Sequence, residues 1–135
     1  MSINSYLTFN GNCREAMTFY QHCLGGELNF QTIADSIDGN KFPLMMRKNI
    51  LQATLIKDEL LLVATDMVDD AGLIKGNAVA MMLNCTSEEE LKRSFTKLSI
   101  GAKAAYPLQE TFSGGIFGNL TDKFGNHWLL SYDNS

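Results

Sequence analysis

Two histidines, His22 and His127, are the side chains best suited to proton transfer or metal binding. They lie far apart in the sequence, and this separation gives no ligand spacing by itself. His22 is expected on the outer, solvated side of a helix. For His127, beside the last turn, a structural role at the start of a strand competes with a place at the mouth of a cavity. Two dispersed histidines support no Ser-His-Asp arrangement, and no paired-carboxylate motif stands out.

Two other polar residues are candidates for contact with a ligand. Gln52 lies in the middle of an apolar strand, between Leu51 and Ala53. If it points inward it needs a partner, which could be a ligand, a water molecule or another chain, and the alternative is simple exposure. Asp66 ends the fourth predicted strand. It could anchor a cation or a polar group of a substrate, or it could be the solvated start of a loop.

Aromatic side chains on or near predicted strands could stack against a partly apolar molecule. These candidates are Tyr6, Phe112, Phe117 and Trp128. Trp128 is the strongest of them, because it is the only tryptophan and lies beside a polar turn. Core filling is the alternative for each. The predicted ligand-binding residues are therefore Tyr6, Gln52, Asp66, Phe112 and Trp128, with no metal site and no assigned catalytic residue.

Composition limits the partners and the compartment. The chain has 135 residues and a net charge of −4, and its eleven basic residues are scattered, which disfavours nucleic-acid binding. No apolar run approaches the length of a membrane span. The three cysteines, Cys13, Cys23 and Cys85, are odd in number and form no C-x-x-C pair. We expect reduced thiols in a cytoplasmic protein that binds neither membrane nor nucleic acid.

The elements that must position these residues follow one order twice. The first half predicts a strand, a helix and three strands, at residues 5–9, 13–24, 27–34, 50–56 and 60–65. The second half predicts the same order, with strands at residues 77–84, 102–108, 116–120 and 127–132 and a helix that ends at Gly101. Pro107 indicates an edge or a bulge.

Each predicted helix has a recognisable start. Asn12 with Glu15 resembles a capping box at the first helix. Thr86 or Ser87 is expected to cap the second helix, whose first turn is acidic and suits the positive end of the helix dipole.

The repeated order predicts an α+β fold made of two βαβββ modules, residues 1–70 and 76–135, within one domain of residues 1–135. Four strands in each module give a curved, eight-stranded sheet. Such a sheet can enclose a cavity large enough for a small ligand.

Several blocks of sequence resemble one known family. They are Tyr6-Leu-Thr-Phe-Asn-Gly-Asn-Cys-Arg-Glu-Ala-Met-Thr-Phe-Tyr20, Leu24-Gly-Gly-Glu27, Thr111-Phe112, Phe117-Gly118 and Asp122-Lys-Phe-Gly-Asn-His-Trp128. The chain is similar to the PhnB-like branch of the vicinal oxygen chelate superfamily, which includes glyoxalases, bleomycin-resistance proteins and extradiol dioxygenases. Members are often labelled demethylubiquinone methyltransferase-like, and that inherited label is no evidence of methyl transfer. The resemblance implies paired βαβββ modules and a homodimer in which modules of two chains can combine.

The resemblance also implies where a metal would bind. Metal-dependent relatives carry ligands at four positions, which fall here near Ser5, Val63, Asn77 and Leu129. None is a strong ligand for a divalent transition metal, which prefers imidazole, carboxylate or thiolate. We therefore expect a binder of a small, partly apolar molecule, similar to the bleomycin-resistance members, that needs no metal or other cofactor.

Two other functions stay open. One is a glyoxalase-like, metal-dependent lyase or dioxygenase whose ligands come from other positions, such as Gln52, Asp66 or His127. The other is an assembly or regulatory module whose pocket is filled by its own side chains.

Overall fold

The computed structural model describes residues 1–36 and 39–133, so residues 134 and 135 of the predicted second module lie outside it. The chain divides into two compact units, Met1–Ile74 and Lys75–Ser135. None of the helices in the described ranges is long and apolar enough to cross a membrane.

The first unit contains one α-helix and four strands. They are β1 (Ser5–Thr8), α1 (Cys13–Leu24), β2 (Glu27–Thr32), β3 (Ile50–Lys57) and β4 (Leu60–Thr65). The sheet has the order β1-β4-β3-β2, in which only the β1–β4 pair is parallel. Two short 3-10 turns, Gly39–Lys41 and Leu44–Met46, lie between β2 and β3.

The second unit repeats this plan with a broken third segment. It contains β5 (Met81–Asn84), α2 (Glu88–Leu98), β6 (Ala104–Ala105), β7 (Gln109–Glu110), β8 (Ile116–Thr121) and β9 (His127–Tyr132). The sheet order is β5-β9-β8-β6, with β7 also paired to β8 and β5 parallel to β9. The α+β fold of two similar units is therefore confirmed.

Two predicted strands are wrong in extent. The strand expected at residues 102–108 is two short strands on either side of Pro107, which has no backbone N–H to donate to a ladder. The strand expected at residues 77–84 begins only at Met81, because residues 77–80 form no ladder. The described chain therefore has nine strands rather than eight.

The predicted cap of α1 is also wrong. Asn12 occupies the N-cap position, but its side chain makes no capping hydrogen bond, so the Asn12–Glu15 capping box does not form. The prediction for α2 is confirmed at Ser87, whose hydroxyl oxygen accepts a hydrogen bond from the Glu90 N–H at 3.0 Å. The Glu90 carboxylate accepts in return from the Thr86 N–H.

Each helix covers one face of its own sheet. The buried residues of α1 are Cys13, Ala16, Met17, Tyr20, Cys23 and Leu24, and those of α2 are Leu91, Ser94 and Leu98. Opposite α1 the buried positions of β3 and β4 alternate, with Ala53, Leu55, Leu62 and Ala64 in the core. This period of two leaves the intervening side chains on the face that does not meet the helix.

Candidate functional site

The face of the first sheet that α1 leaves uncovered can be identified from one contact. The guanidinium carbon of Arg14, on α1, lies 4.6 Å from the centre of the Phe30 ring, so Phe30 faces the helix. Phe30 is opposite Ala53, and Ala53 is opposite Ala64. Their neighbours along each strand therefore project to the other side, which we call the open face of the first sheet.

The centre of this open face is a row across all four strands. Tyr6 pairs with Val63, Val63 with Thr54, and Thr54 with Asn29. Tyr6 is 63% exposed. An exposed ring beside a valine is an apolar patch with a hydroxyl at its tip, and it can take part in both stacking and hydrogen bonding.

A pair of glutamines lies beside this row. Gln52 is two residues before Thr54 on β3 and directly opposite Gln31 on β2. The side-chain amides of Gln31, Gln52 and Asn29 make no hydrogen bond to any other described residue. They are exposed, and they can still bind another molecule. Two predicted site residues, Tyr6 and Gln52, therefore lie on one face of one sheet.

Asp66 lies elsewhere and has structural partners. Its Oδ1 accepts hydrogen bonds from the Gly11 and Cys13 N–H groups, both at 2.9 Å, and its Oδ2 accepts from the Ile50 N–H at 2.8 Å. The carboxylate thus binds the first N–H of α1 and the start of β3 from the end of β4. Three backbone donors occupy the side chain, which is buried and has little room for a ligand.

The thiol of Cys13 is affected by the same carboxylate. Burial, and then the nearby Asp66 charge, raise the pKa of Cys13 to about 12. Burial, followed by Glu90, raises the pKa of Cys85 to about 11. At physiological pH these pKa values keep both cysteines as neutral thiols, which are weak nucleophiles. All three cysteines are buried thiols outside any disulfide.

In the second unit, Gly118 shows which face of the sheet meets α2. A Cβ at Gly118 would lie 2.6 Å from Leu108 Cδ2 and 3.1 Å from Phe95 Cδ2, so Gly118 faces the helix closely. Gly118 pairs with Leu130, and Leu120 pairs with Trp128. Trp128 is therefore on the helix side, and it is only 1% exposed.

Trp128 and Asp122 form the centre of the β8–β9 turn. Asp122 Oδ1 accepts from the Phe124 and Asn126 N–H groups at 2.8 and 3.0 Å, and Oδ2 accepts from the Trp128 indole N–H at 2.9 Å. Asp122 is completely buried. Instead of offering a stacking surface, Trp128 is enclosed in the core. The sequence indicates only a polar turn beside Trp128, and the bond from Trp128 to Asp122 is not visible in it.

His127 uses both ring nitrogens within the second unit. Nδ1 lies 2.8 Å from Thr121 Oγ1, and Nε2 lies 3.2 Å from the Gly76 carbonyl oxygen, to which it donates in the matching tautomer. Next to it, Lys75 Nζ donates to Asn126 Oδ1 at 3.1 Å. Burial lowers the pKa of Lys75. These contacts give His127 the structural role of attaching the segment before β5 to the turn.

Phe112 lies in the loop between β7 and β8, where it is fully exposed. Phe117, by contrast, alternates with Gly118 and so lies on the face opposite α2, as do Leu129 and the exposed Met82.

The described residues do not fit the superfamily's metal centre. Residues 1–36 and 39–133 contain no group of three or more His, Cys, Asp or Glu side chains placed to hold an ion. At two positions where metal-dependent relatives carry ligands, Val63 and Leu129 offer no donor atom. Asp66 and His127, suggested as replacements, already have partners within the protein.

Comparison with known proteins supports the family assignment. Residues 1–131 match the model of the family described as 3-demethylubiquinone-9 3-methyltransferase. The chain belongs to this family. Protein YjdN of Escherichia coli K12 is 29% identical over 147 aligned positions, covering 97% of this chain and 95% of YjdN.

Solved structures agree with this family assignment. Protein PA1353 from Pseudomonas aeruginosa is 34% identical, with a TM-score of 0.82 over 98% of each chain. A PhnB protein from Bacillus cereus is 24% identical, with a TM-score of 0.73 over 98% of this chain and 99% of its own. More distant glyoxalase-related structures share the fold. The resemblance to the PhnB-like branch of the vicinal oxygen chelate superfamily is thereby confirmed.

Proposed function

We propose that this family member binds a small, partly apolar molecule without a metal ion, and that the open face of the first sheet provides the contacts. The observation that carries the proposal is the set formed by Tyr6, Val63 and Gln52: an exposed aromatic ring, an aliphatic neighbour and an unpaired amide on one rigid surface. A few convergent polar groups on an apolar surface are typical of small-molecule sites.

The chemistry of the donor set supports binding without a metal. Val63 provides only methyl groups where a metal-dependent relative provides a ligand. A transition metal needs several imidazole, carboxylate or thiolate ligands, and Gln52 alone would be a weak one. Trp128 and Asp66 do not enter the proposal, because the indole N–H binds Asp122 and the carboxylate binds backbone amides.

A thermal-shift screen tests the proposal. Protein treated with a chelator is screened against a panel of planar, partly apolar molecules, because a molecule that binds only the native state raises the melting temperature. We expect at least one molecule to raise it equally with and without chelator. The shift should disappear in Tyr6→Ala and persist in Tyr106→Ala, a control in which a tyrosine of similar exposure (57%) is removed from the second unit.

Metal analysis of protein purified without chelator distinguishes metal-free binding from a metal-dependent enzyme. Far less than one equivalent of metal per chain agrees with the proposal. One bound equivalent of zinc, nickel, manganese or iron, lost on chelation together with ligand binding, would instead support a metal-dependent lyase or dioxygenase.

We also propose that the protein is a homodimer, as the family resemblance implies. Large apolar side chains are exposed in the first unit at Leu44 and Met45, in the short turn before β3. Such side chains are often covered by a second protein surface. Light scattering coupled to size-exclusion chromatography should give twice the mass of the 15.0 kDa chain. A single-chain mass across the micromolar range would contradict a stable dimer.

A further inference from the structure

We infer that the molecule bound at the open face of the first sheet is uncharged and carries an amide-like group attached to an apolar ring. A carboxamide, a lactam or a heterocycle with an adjacent donor and acceptor would qualify. This inference rests on the proposed function and names the class of ligand that this face would accept.

The cross-strand pair Gln31 and Gln52 favours a ligand with an amide-like group. Residues directly opposite on antiparallel strands have Cβ atoms about 5 Å apart, so the two amides are neighbours. Each amide offers one acceptor oxygen and two donor hydrogens, and neither is hydrogen-bonded to another described residue. Together they complement a ligand that presents a donor and an acceptor side by side. An amide or lactam does so without carrying a charge.

The strand positions of the open face carry little charge. By strand alternation its side chains are Tyr6, Thr8, Glu27, Asn29, Gln31, Gln52, Thr54, Ile56, Leu61, Val63 and Thr65. Among these strand positions the one ionisable group that is charged at neutral pH is Glu27, at the start of β2. Transfer of a carboxylate or ammonium group from water is costly unless an opposite charge meets it. Amides and hydroxyls complement a neutral polar group better.

The distance between Tyr6 and Gln52 suits a ligand of two fused rings. Tyr6 and Gln52 lie two strands apart and one row apart, which puts their Cα atoms about 12 Å from each other. Both side chains can reach into this gap. A fused two-ring system with an amide at one end spans most of it, with the ring against Tyr6 and Val63 and the amide at the glutamine pair.

Three probes with the same ring test the inference by calorimetry: 2-naphthamide, 2-naphthoate and 2-naphthylmethylammonium. They share the naphthalene ring and carry a neutral, a negative or a positive head group. We expect 2-naphthamide to bind wild-type protein at least tenfold more tightly than either charged probe, and Gln52→Ala and Gln31→Ala each to reduce this preference.

The variant Gln52→Glu makes the test more specific. It nearly preserves the shape of the side chain and replaces the amide with a carboxylate, so preference should move from 2-naphthamide to the ammonium probe. Gln21→Glu is the matched control. It adds the same charge on α1, on the other side of the sheet, and removes only an exposed bond to the Gly26 carbonyl. Its preference should equal that of the wild type.

The outcomes separate the two proposals. Binding of 2-naphthoate as tight as that of 2-naphthamide, if lost in Tyr6→Ala, would overturn the ligand class and leave the binding face intact. A Tyr6-dependent screening hit that is charged and carries no amide-like group, together with no binding of any naphthalene probe, would do the same. No Tyr6-dependent binding by any probe or panel member would overturn both.

Discussion

Among the described residues, each unit has a buried aspartate that accepts hydrogen bonds, Asp66 in the first and Asp122 in the second, and the donors described above for the two differ in their distance along the chain. The partners of Asp66 are 16 to 55 residues away in sequence and join the start of α1 to the start of β3. The partners of Asp122 are two, four and six residues away, within one turn. The first unit is thus held by a long-range carboxylate and the second by a local one.

The helix starts show the same difference. At α1, Asp66 binds the Cys13 N–H, and the side chain of Asn12 makes no cap. At α2, the Ser87 hydroxyl oxygen accepts from the Glu90 N–H, and the Glu90 carboxylate accepts from the Thr86 N–H, so neighbouring residues supply the partners. Two units of the same topology therefore satisfy the free donors at a helix N-terminus in different ways.

Loss of the Asp66 charge should have the largest effect. Asp66→Asn leaves one amide hydrogen facing a backbone N–H and weakens the other bonds, so we expect the free energy of unfolding to fall by about 3 kcal/mol. Urea unfolding followed by circular dichroism measures this change, with Asp70→Asn, at an exposed loop position, as the control. A change below about 0.5 kcal/mol, the usual range for surface substitutions, would contradict the structural role of Asp66.

The corresponding change in the second unit should cost less. In Asp122→Asn the remaining oxygen can still accept from Phe124 and Asn126, while the Trp128 indole loses its acceptor, so we expect a loss of about 2 kcal/mol. The double variant Asp122→Asn with Trp128→Phe should lose less free energy of unfolding than the two single variants lose in total, because phenylalanine has no N–H to leave unpaired. Additive losses would mean that the Asp122–Trp128 bond contributes nothing.

Removal of the two cap side chains compares the helix starts directly. Ser87→Ala should destabilise the protein by about 1 kcal/mol, because the Glu90 N–H loses its acceptor. Asn12→Ala should change stability by less than about 0.5 kcal/mol, because no capping bond is lost. Both are measured by urea unfolding, and equal losses would show that Asn12 does cap α1 in solution.

The remaining expected effect appears only at alkaline pH, as a dependence of stability on pH. The pKa of Cys13 is about 12 in the folded state against an ordinary value of 9.0, so between these values the unfolded chain releases the proton first. Stability supplied by the neutral thiol is present below pH 9 and is lost as pH rises toward 12. The urea midpoint should therefore fall less between pH 8 and pH 10 in Cys13→Ala than in the wild type. An equal fall would contradict the raised pKa.

The difference between the units also explains what the sequence could predict. The Ser87 cap and the turn that begins at Asp122 depend on neighbouring residues, so residue types and spacing indicate them. The role of Asp66 depends on a fold that brings residues 11, 13 and 50 together, and no local pattern near Asp66 signals it. The strand predicted at residues 102–108 is interrupted at Pro107, which has no N–H to donate to a ladder, and the alanines before it have low strand propensity.

The sequence indicates candidate site residues, but it does not show on which face of a sheet each of them lies. The sequence indicates Gln52 as a polar residue on β3 but leaves open whether its side chain points inward; the contact of Arg14 with Phe30 and the strand register settle its side. Strand β9 is apolar on both faces at Trp128, Leu129 and Leu130, and its pattern cannot tell which of them faces the core. The close approach of Phe95 to Gly118 decides this orientation, and only the folded structure shows it.

The central claim is that the open face of the first sheet binds a neutral molecule without a metal. The most direct test is a residue-resolved NMR titration of chelator-treated protein with 2-naphthamide. The account predicts chemical-shift changes centred on the amides of Tyr6, Gln31, Gln52 and Val63, unchanged by added zinc, nickel or manganese. Changes confined to residues 75–133, or changes that appear only after a metal is added, would contradict it.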